Sequence, residues 1–65
     1  MEICVNGKEV SARDGCTLQE YLDARGFKGR IVTEYNGDIV EAERWHEVIL
    51  NPQDRLEIVT FVGGG

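Results

Sequence analysis

Arg55-Leu56-Glu57-Ile58-Val59-Thr60-Phe61-Val62-Gly63-Gly64-Gly65 is the last stretch of the chain and the one that decides its fold. From Arg55 to Val62 it is rich in β-branched and aromatic residues, the composition of a strand. Its period is two: Leu56, Ile58 and Thr60 fall on one face, Val59 and Phe61 on the other. A strand that is apolar on both faces belongs at the centre of a sheet, not at its edge. Three glycines follow directly. They have no side chain to pack and the most freedom to lose on ordering. The expectation is a domain over residues 1–62 and a flexible glycine tail over residues 63–65.

Upstream of that strand lies Asn51-Pro52-Gln53-Asp54, a turn in which the proline presets one φ. Val48-Ile49-Leu50 leads into it. Glu41–His46 reads as irregular or a single helical turn, with Trp45 plugging a gap in the core. Asp38–Val40 and Arg30–Tyr35 read as short strands on either side of Asn36-Gly37, and Asn-Gly tolerates positive φ at both central positions of a hairpin turn. Further upstream, Thr17-Leu18-Gln19-Glu20 matches a capping box. Leu18, Tyr21 and Leu22 then recur at helical spacing, and Gly26 can take the left-handed conformation that stops a helix. This predicts a helix over Leu18–Arg25. Met1–Val5 and Glu9–Ala12 form a first hairpin about Asn6-Gly7.

The element order is ββαβββ. It predicts an α+β domain with a mixed sheet and one helix packed across one face, the ubiquitin-like β-grasp arrangement. In that arrangement the first and last strands run side by side and parallel at the centre of the sheet.

At 65 residues the chain makes one domain, which buries only roughly 60% of the surface of its unfolded chain. There is no room for a large enclosed cleft, which favours a carrier or binding module over a self-sufficient enzyme. Twelve acidic residues against seven basic ones give a net charge of −5. That balance disfavours nucleic acid, which needs clustered Lys and Arg, and an anionic membrane surface. It suits steered docking on a basic partner, or simple solubility. No run is apolar enough to span a bilayer, and Met1-Glu2-Ile3 has no basic leader of secretory type, so the expected compartment is cytoplasmic. Cys4 and Cys16 are then reduced thiols. With His46 they are too few for a zinc or iron–sulfur site, and no bound metal is expected. Cys4 and Cys16 read as small apolar residues, and His46 as a surface or core-edge residue without a catalytic partner. Glu41, Glu43 and Glu47 read as a solvated face. Arg44 and Arg55 can pair with acidic partner groups, although most exposed arginines are only solvated.

The chemistry therefore concentrates at the tail. Without Cβ atoms, Gly63 and Gly64 can thread a channel too narrow for other residues and bring the carboxylate of Gly65 to a nucleotide-using enzyme outside. Val59, Phe61 and Val62, on the face away from the helix or beside the tail, form the expected docking patch. The competing reading is a frayed terminus without a role.

The hairpin Ile3-Cys4-Val5-Asn6-Gly7, the internal Glu34-Tyr35-Asn36-Gly37-Asp38-Ile39-Val40, Trp45, and above all Asp54–Gly65 resemble the thiamin-biosynthesis sulfur carriers, the ThiS family, over essentially the whole chain. The resemblance implies that a ubiquitin-activating-type, ThiF-like adenylyltransferase uses Mg-ATP to adenylate the Gly65 carboxylate. A sulfur donor such as a cysteine desulfurase then yields a thiocarboxylate, which gives its sulfur to a ThiG-like thiazole synthase. The chain itself binds no cofactor in this scheme and is not an enzyme. The small subunit of molybdopterin synthase uses the same terminal chemistry, but that family tends to be longer and to end in a different block before its glycines. A ubiquitin-like protein modifier would share the activation and end in an isopeptide bond.

Overall fold

The computed structural model describes residues 1–61. Two Asn-Gly turns organise it. The first joins β1 (Glu2–Val5) to β2 (Lys8–Ser11), with Ile3 opposite Val10. The second joins β3 (Arg30–Tyr35) to β4 (Asp38–Val40), with Tyr35 opposite Asp38. In both turns the asparagine and the glycine are left-handed: Asn6 and Gly7 at φ +51° and +82°, Asn36 and Gly37 at +50° and +94°. That is the type I′ geometry whose twist matches paired strands.

Between the hairpins lies α1 (Leu18–Ala24). Its capping box is complete: the Glu20 amide donates to Thr17 Oγ1 at 3.1 Å, and the Thr17 amide donates to Glu20 Oε1 at 2.8 Å. The helix ends in a Schellman motif. The Gly26 amide donates to the Asp23 carbonyl and the Phe27 amide to the Leu22 carbonyl, each at 3.1 Å, with Gly26 at φ +76°. Arg25 is the cap residue, so the helix is one residue shorter than its apolar spacing suggests. Ala42–Glu47 forms a short 3-10 helix, in the stretch expected to be irregular or a single turn.

The sheet order is β2-β1-β5-β3-β4, with β5 (Arg55–Phe61) at the centre. It runs parallel to β1 and antiparallel to β3. This is the expected β-grasp arrangement. One face of the sheet supplies Ile3, Leu56 and Ile58 to the core. The helix supplies Leu18, Tyr21 and Leu22, and the connection before β5 supplies Trp45 and Leu50. Side chains of this kind contribute about 1.5–3 kcal/mol each when fully buried, and Ile3, Leu18, Leu22, Leu50 and Leu56 are fully buried.

The turn before β5 departs from its sequence reading in one respect. Beside the proline-fixed position, Gln53 takes the strained one, at φ +72°. The Asp54 amide closes the turn onto the Asn51 carbonyl at 3.1 Å, a type II pattern that ordinarily wants glycine or asparagine at this place. The Gln53 amide donates to the Glu2 carbonyl at 2.8 Å, so a tertiary bond holds the turn where local preference does not.

Candidate functional site

The face of the sheet turned away from α1 divides into two halves. Strand alternation puts Arg55, Glu57, Val59 and Phe61 of β5 on this face, because Leu56 and Ile58 point into the core. Register then places Val32 opposite Val59, Glu34 opposite Glu57, and Arg30 opposite Phe61. Ile39 on β4 stands opposite Glu34. Toward the end of β5 the face is apolar and open, with Val32, Val59 and Phe61 40%, 51% and 54% exposed; Ile39, 66% exposed, lies on β4 in the Glu34–Glu57 row. Toward the start of β5 it is acidic, with Glu34 and Glu57 directly across from each other and Glu2 and Glu9 on the neighbouring hairpin. Like charges so placed oppose sheet stability. The Glu9 carboxyl is held above its ordinary range by its hydrogen bond to Glu2 and by the Glu2 charge.

An open groove of about 520 Å³ runs from Phe61 past Arg30 and Val32 to Trp45. The Trp45 ring is buried, and its indole N–H donates to Thr33 Oγ1 at 3.1 Å and to the Val40 carbonyl at 3.2 Å. Thr33, fully buried, donates its own hydroxyl proton to Val40 at 2.9 Å. Trp45 thus plugs the core, as expected, and also forms the inner wall of the groove.

Polar side chains fix the central strand at two points. At its start, the buried carboxylate of Asp54 accepts from Tyr35 Oη at 2.5 Å, Asn36 Nδ2 at 3.2 Å and the Asn51 amide at 2.7 Å. Burial, and then the Asp54 carboxylate, raise the pKa of the Tyr35 phenol. Asn36 Oδ1 also accepts from the Arg55 amide at 2.8 Å. In mid-strand, Asn6 Oδ1 accepts from the Ile58 amide at 2.7 Å, and Asn6 Nδ2 donates to the Ile58 carbonyl at 3.2 Å. Each hairpin turn therefore turns its asparagine carboxamide onto β5. Both residues read in sequence only as turn formers; no signal in the one-dimensional pattern identifies a carboxamide that reaches a strand fifty-two positions away.

Of the residues expected to matter, Val59 and Phe61 stand exposed, Val59 directly beside Val32, a member that sequence reading did not include. Val62, Gly63, Gly64 and Gly65 lie outside the described residues. Cys4 is half-buried and Cys16 buried, both free thiols. His46 is exposed, with Nε2 3.7 Å from Glu47. Arg44 is exposed, with its guanidinium 3.1 Å from Glu47 on the surface. Arg55 is exposed. Among the described residues no group of three or more His, Cys, Asp or Glu could hold a metal ion, and no helix is long and apolar enough to cross a membrane.

Comparison with known proteins agrees with this architecture. The crystal structure of thiamine biosynthesis protein ThiS from Geobacter metallireducens superposes with a TM-score of 0.84 at 28% identity, covering 100% of both chains. The sulfur carrier protein ThiS of Bacillus subtilis is 44% identical over 63 residues, 94% of this chain and 96% of that one. A thiazole synthase of Paramagnetospirillum magneticum is 35% identical over 66 residues, which is 100% of this chain but 20% of that protein. A family model described as the ThiS family matches residues 2–65. With the sheet order, the exposed apolar end of β5 and the glycine ending in view, this chain belongs to the ThiS family.

Proposed function

We propose that this protein is a cytoplasmic sulfur carrier for the thiazole moiety of thiamin, and that its working group is the carboxylate of Gly65. A ThiF-like adenylyltransferase of ubiquitin-activating type uses Mg-ATP to join that carboxylate to AMP. The step is needed because a carboxylate is a poor electrophile: its resonance and charge repel nucleophiles. As an acyl anhydride it has a good leaving group: the terminal sulfur of a persulfide, supplied through a donor such as a cysteine desulfurase, displaces AMP to form an acyl disulfide, and a thiol reductant cleaves its S–S bond to leave the thiocarboxylate. The resulting thiocarboxylate holds sulfur as a nucleophile and delivers it to a ThiG-like thiazole synthase. Apart from the terminal group itself, the chain supplies no base or nucleophile in these steps; it is a handle gripped by successive enzymes.

The observation that carries this reading is the placement of the apolar face. Val59 and Phe61 are exposed at the end of the described central strand, with Val32 beside Val59, and the sequence passes within one residue into Gly63-Gly64-Gly65. A partner that covers this face receives the glycine residues 63–65 directly into its own site. Val62 continues the docking patch at the root of that tail. The acidic half of the same face suits a basic rim on the partner. Likeness of the whole chain to 20% of a thiazole synthase supports thiazole synthase as one of those partners. The free thiols of Cys4 and Cys16 suit a reducing compartment.

The test is intact-mass spectrometry after incubation with Mg-ATP, the adenylyltransferase and a sulfur source. The expected change is one oxygen replaced by sulfur at the C-terminus. A chain lacking Gly65 should fold normally and support no thiazole formation; thiazole formation by that truncated chain would end the proposal.

A further inference from the structure

The parallel ladder between β1 and β5 is short. It pairs Cys4 with Arg55 and Val5 with Leu56, after which the chain turns away at Asn6-Gly7. The backbone continues it for one bond, from the Asn6 amide to the Leu56 carbonyl at 2.8 Å. Beyond that point, among the described residues, β5 has no strand on this side, although it runs on to Phe61 paired with β3 on the other. Asn6 fills the next rung with its side chain. Its carboxamide accepts from the Ile58 N–H and donates to the Ile58 carbonyl, as a peptide group of a neighbouring strand would. The left-handed backbone at Asn6, φ +51°, is what swings the carboxamide over β5 instead of along the hairpin.

We propose that Asn6 is a positioning residue for the end of β5: its carboxamide is the terminal rung of the β1–β5 ladder and fixes the orientation of the strand at Ile58, from which the sequence runs through Phe61 to the C-terminal glycines. The inference rests on the carrier reading above, in which that segment must enter a partner's site. A strand held on both sides at Ile58 presents the next residues in one orientation. A strand held only by β3 fluctuates about that single ladder and must be ordered when the partner binds, at a cost in affinity. Asn36 holds the other end of the strand, at Arg55, and has no such leverage at Ile58.

Asn6→Gly separates this role from the turn, because glycine adopts positive φ without steric strain while the carboxamide is removed. Steady-state adenylation by the ThiF-like enzyme with Mg-ATP should show a roughly five-fold higher KM for the Asn6→Gly carrier with kcat retained. Amide exchange at Ile58 should speed up in the free protein. Asn36→Gly is the control: it also removes a clamp on β5, and its KM should match the wild type. An unchanged KM for Asn6→Gly, or an equal rise for Asn36→Gly, overturns the inference. If Asn6→Gly does not fold, Asn6→Asp decides instead. It keeps the turn and the acceptor but sets an oxygen against the Ile58 carbonyl, so its KM must also rise. A wild-type chain that is never adenylated sinks the carrier reading itself; an adenylated wild type with an indifferent Asn6→Gly variant sinks this inference alone.

Discussion

The Tyr35 hydroxyl donates to Asp54 Oδ2 at 2.5 Å, joining the end of β3 to the start of β5 across nineteen positions of sequence. The carboxylate is 9% exposed, and its desolvation is offset by three donors, from Tyr35, Asn36 and the Asn51 amide. A buried anion is tolerated when its oxygens are saturated in this way.

Tyr35→Phe should therefore destabilise the fold by about 1–2 kcal/mol, since Asp54 keeps two donors and the phenol is only half-buried. The variant should also lose a pH dependence. The folded-state pKa of Tyr35 lies above its ordinary value of 10.0. The unfolded chain releases the phenolic proton first, so this contribution is complete below pH 10.0 and disappears as pH rises through the folded-state value. Denaturant unfolding of the two proteins between neutral and strongly alkaline pH checks this; parallel curves above pH 10.0 would contradict the assigned bond.

Thr17→Ala removes the acceptor for the Glu20 amide and breaks the capping box at the start of a helix of only seven residues. The expected loss is about 1 kcal/mol, which for a domain of this size lowers Tm by roughly 4–8 °C. Thr17→Ser should restore most of it. Thermal unfolding followed by circular dichroism is sufficient, and a Thr17→Ala protein as stable as Thr17→Ser would refute the role of the hydroxyl.

Glu57→Gln relieves the Glu34–Glu57 opposition on the exposed face. Stability should rise by roughly 0.2–1 kcal/mol, while association with the adenylyltransferase slows and becomes less sensitive to salt. Stopped-flow binding at two ionic strengths separates the effects. An association rate that does not change would mean the acidic half of the face plays no part in docking.

Phe61→Ser should leave the unfolding free energy within about 1 kcal/mol of the wild type, because the ring is 54% exposed and surface changes are small. Adenylation should suffer far more, with KM up roughly thirty-fold if Phe61 is an anchor of the docking face. The same variant with normal adenylation kinetics would remove Phe61 from the interface.

The order of elements, the centrality of β5, the capping box, the glycine stop at Gly26 and the inward set Leu56 and Ile58 were all legible in the chain. Each rests on spacing or on the backbone freedom of one residue type, and such properties are local. Trp45 as a core plug was legible for a similar reason: a lone large aromatic in a polar stretch has little else to do. What the folded structure alone decided depends on register between strands far apart in sequence. Only register sets Val32 beside Val59 and carries the open apolar face onto β3. It also sets Glu34 against Glu57. Only the close approach of both hairpin turns to β5 makes Asn6 and Asn36 clamps, and only the Glu2 carbonyl accounts for a left-handed Gln53. Periodicity tells which face a residue takes; it does not tell which distant residue shares that face, and the candidate docking surface is made of such neighbours.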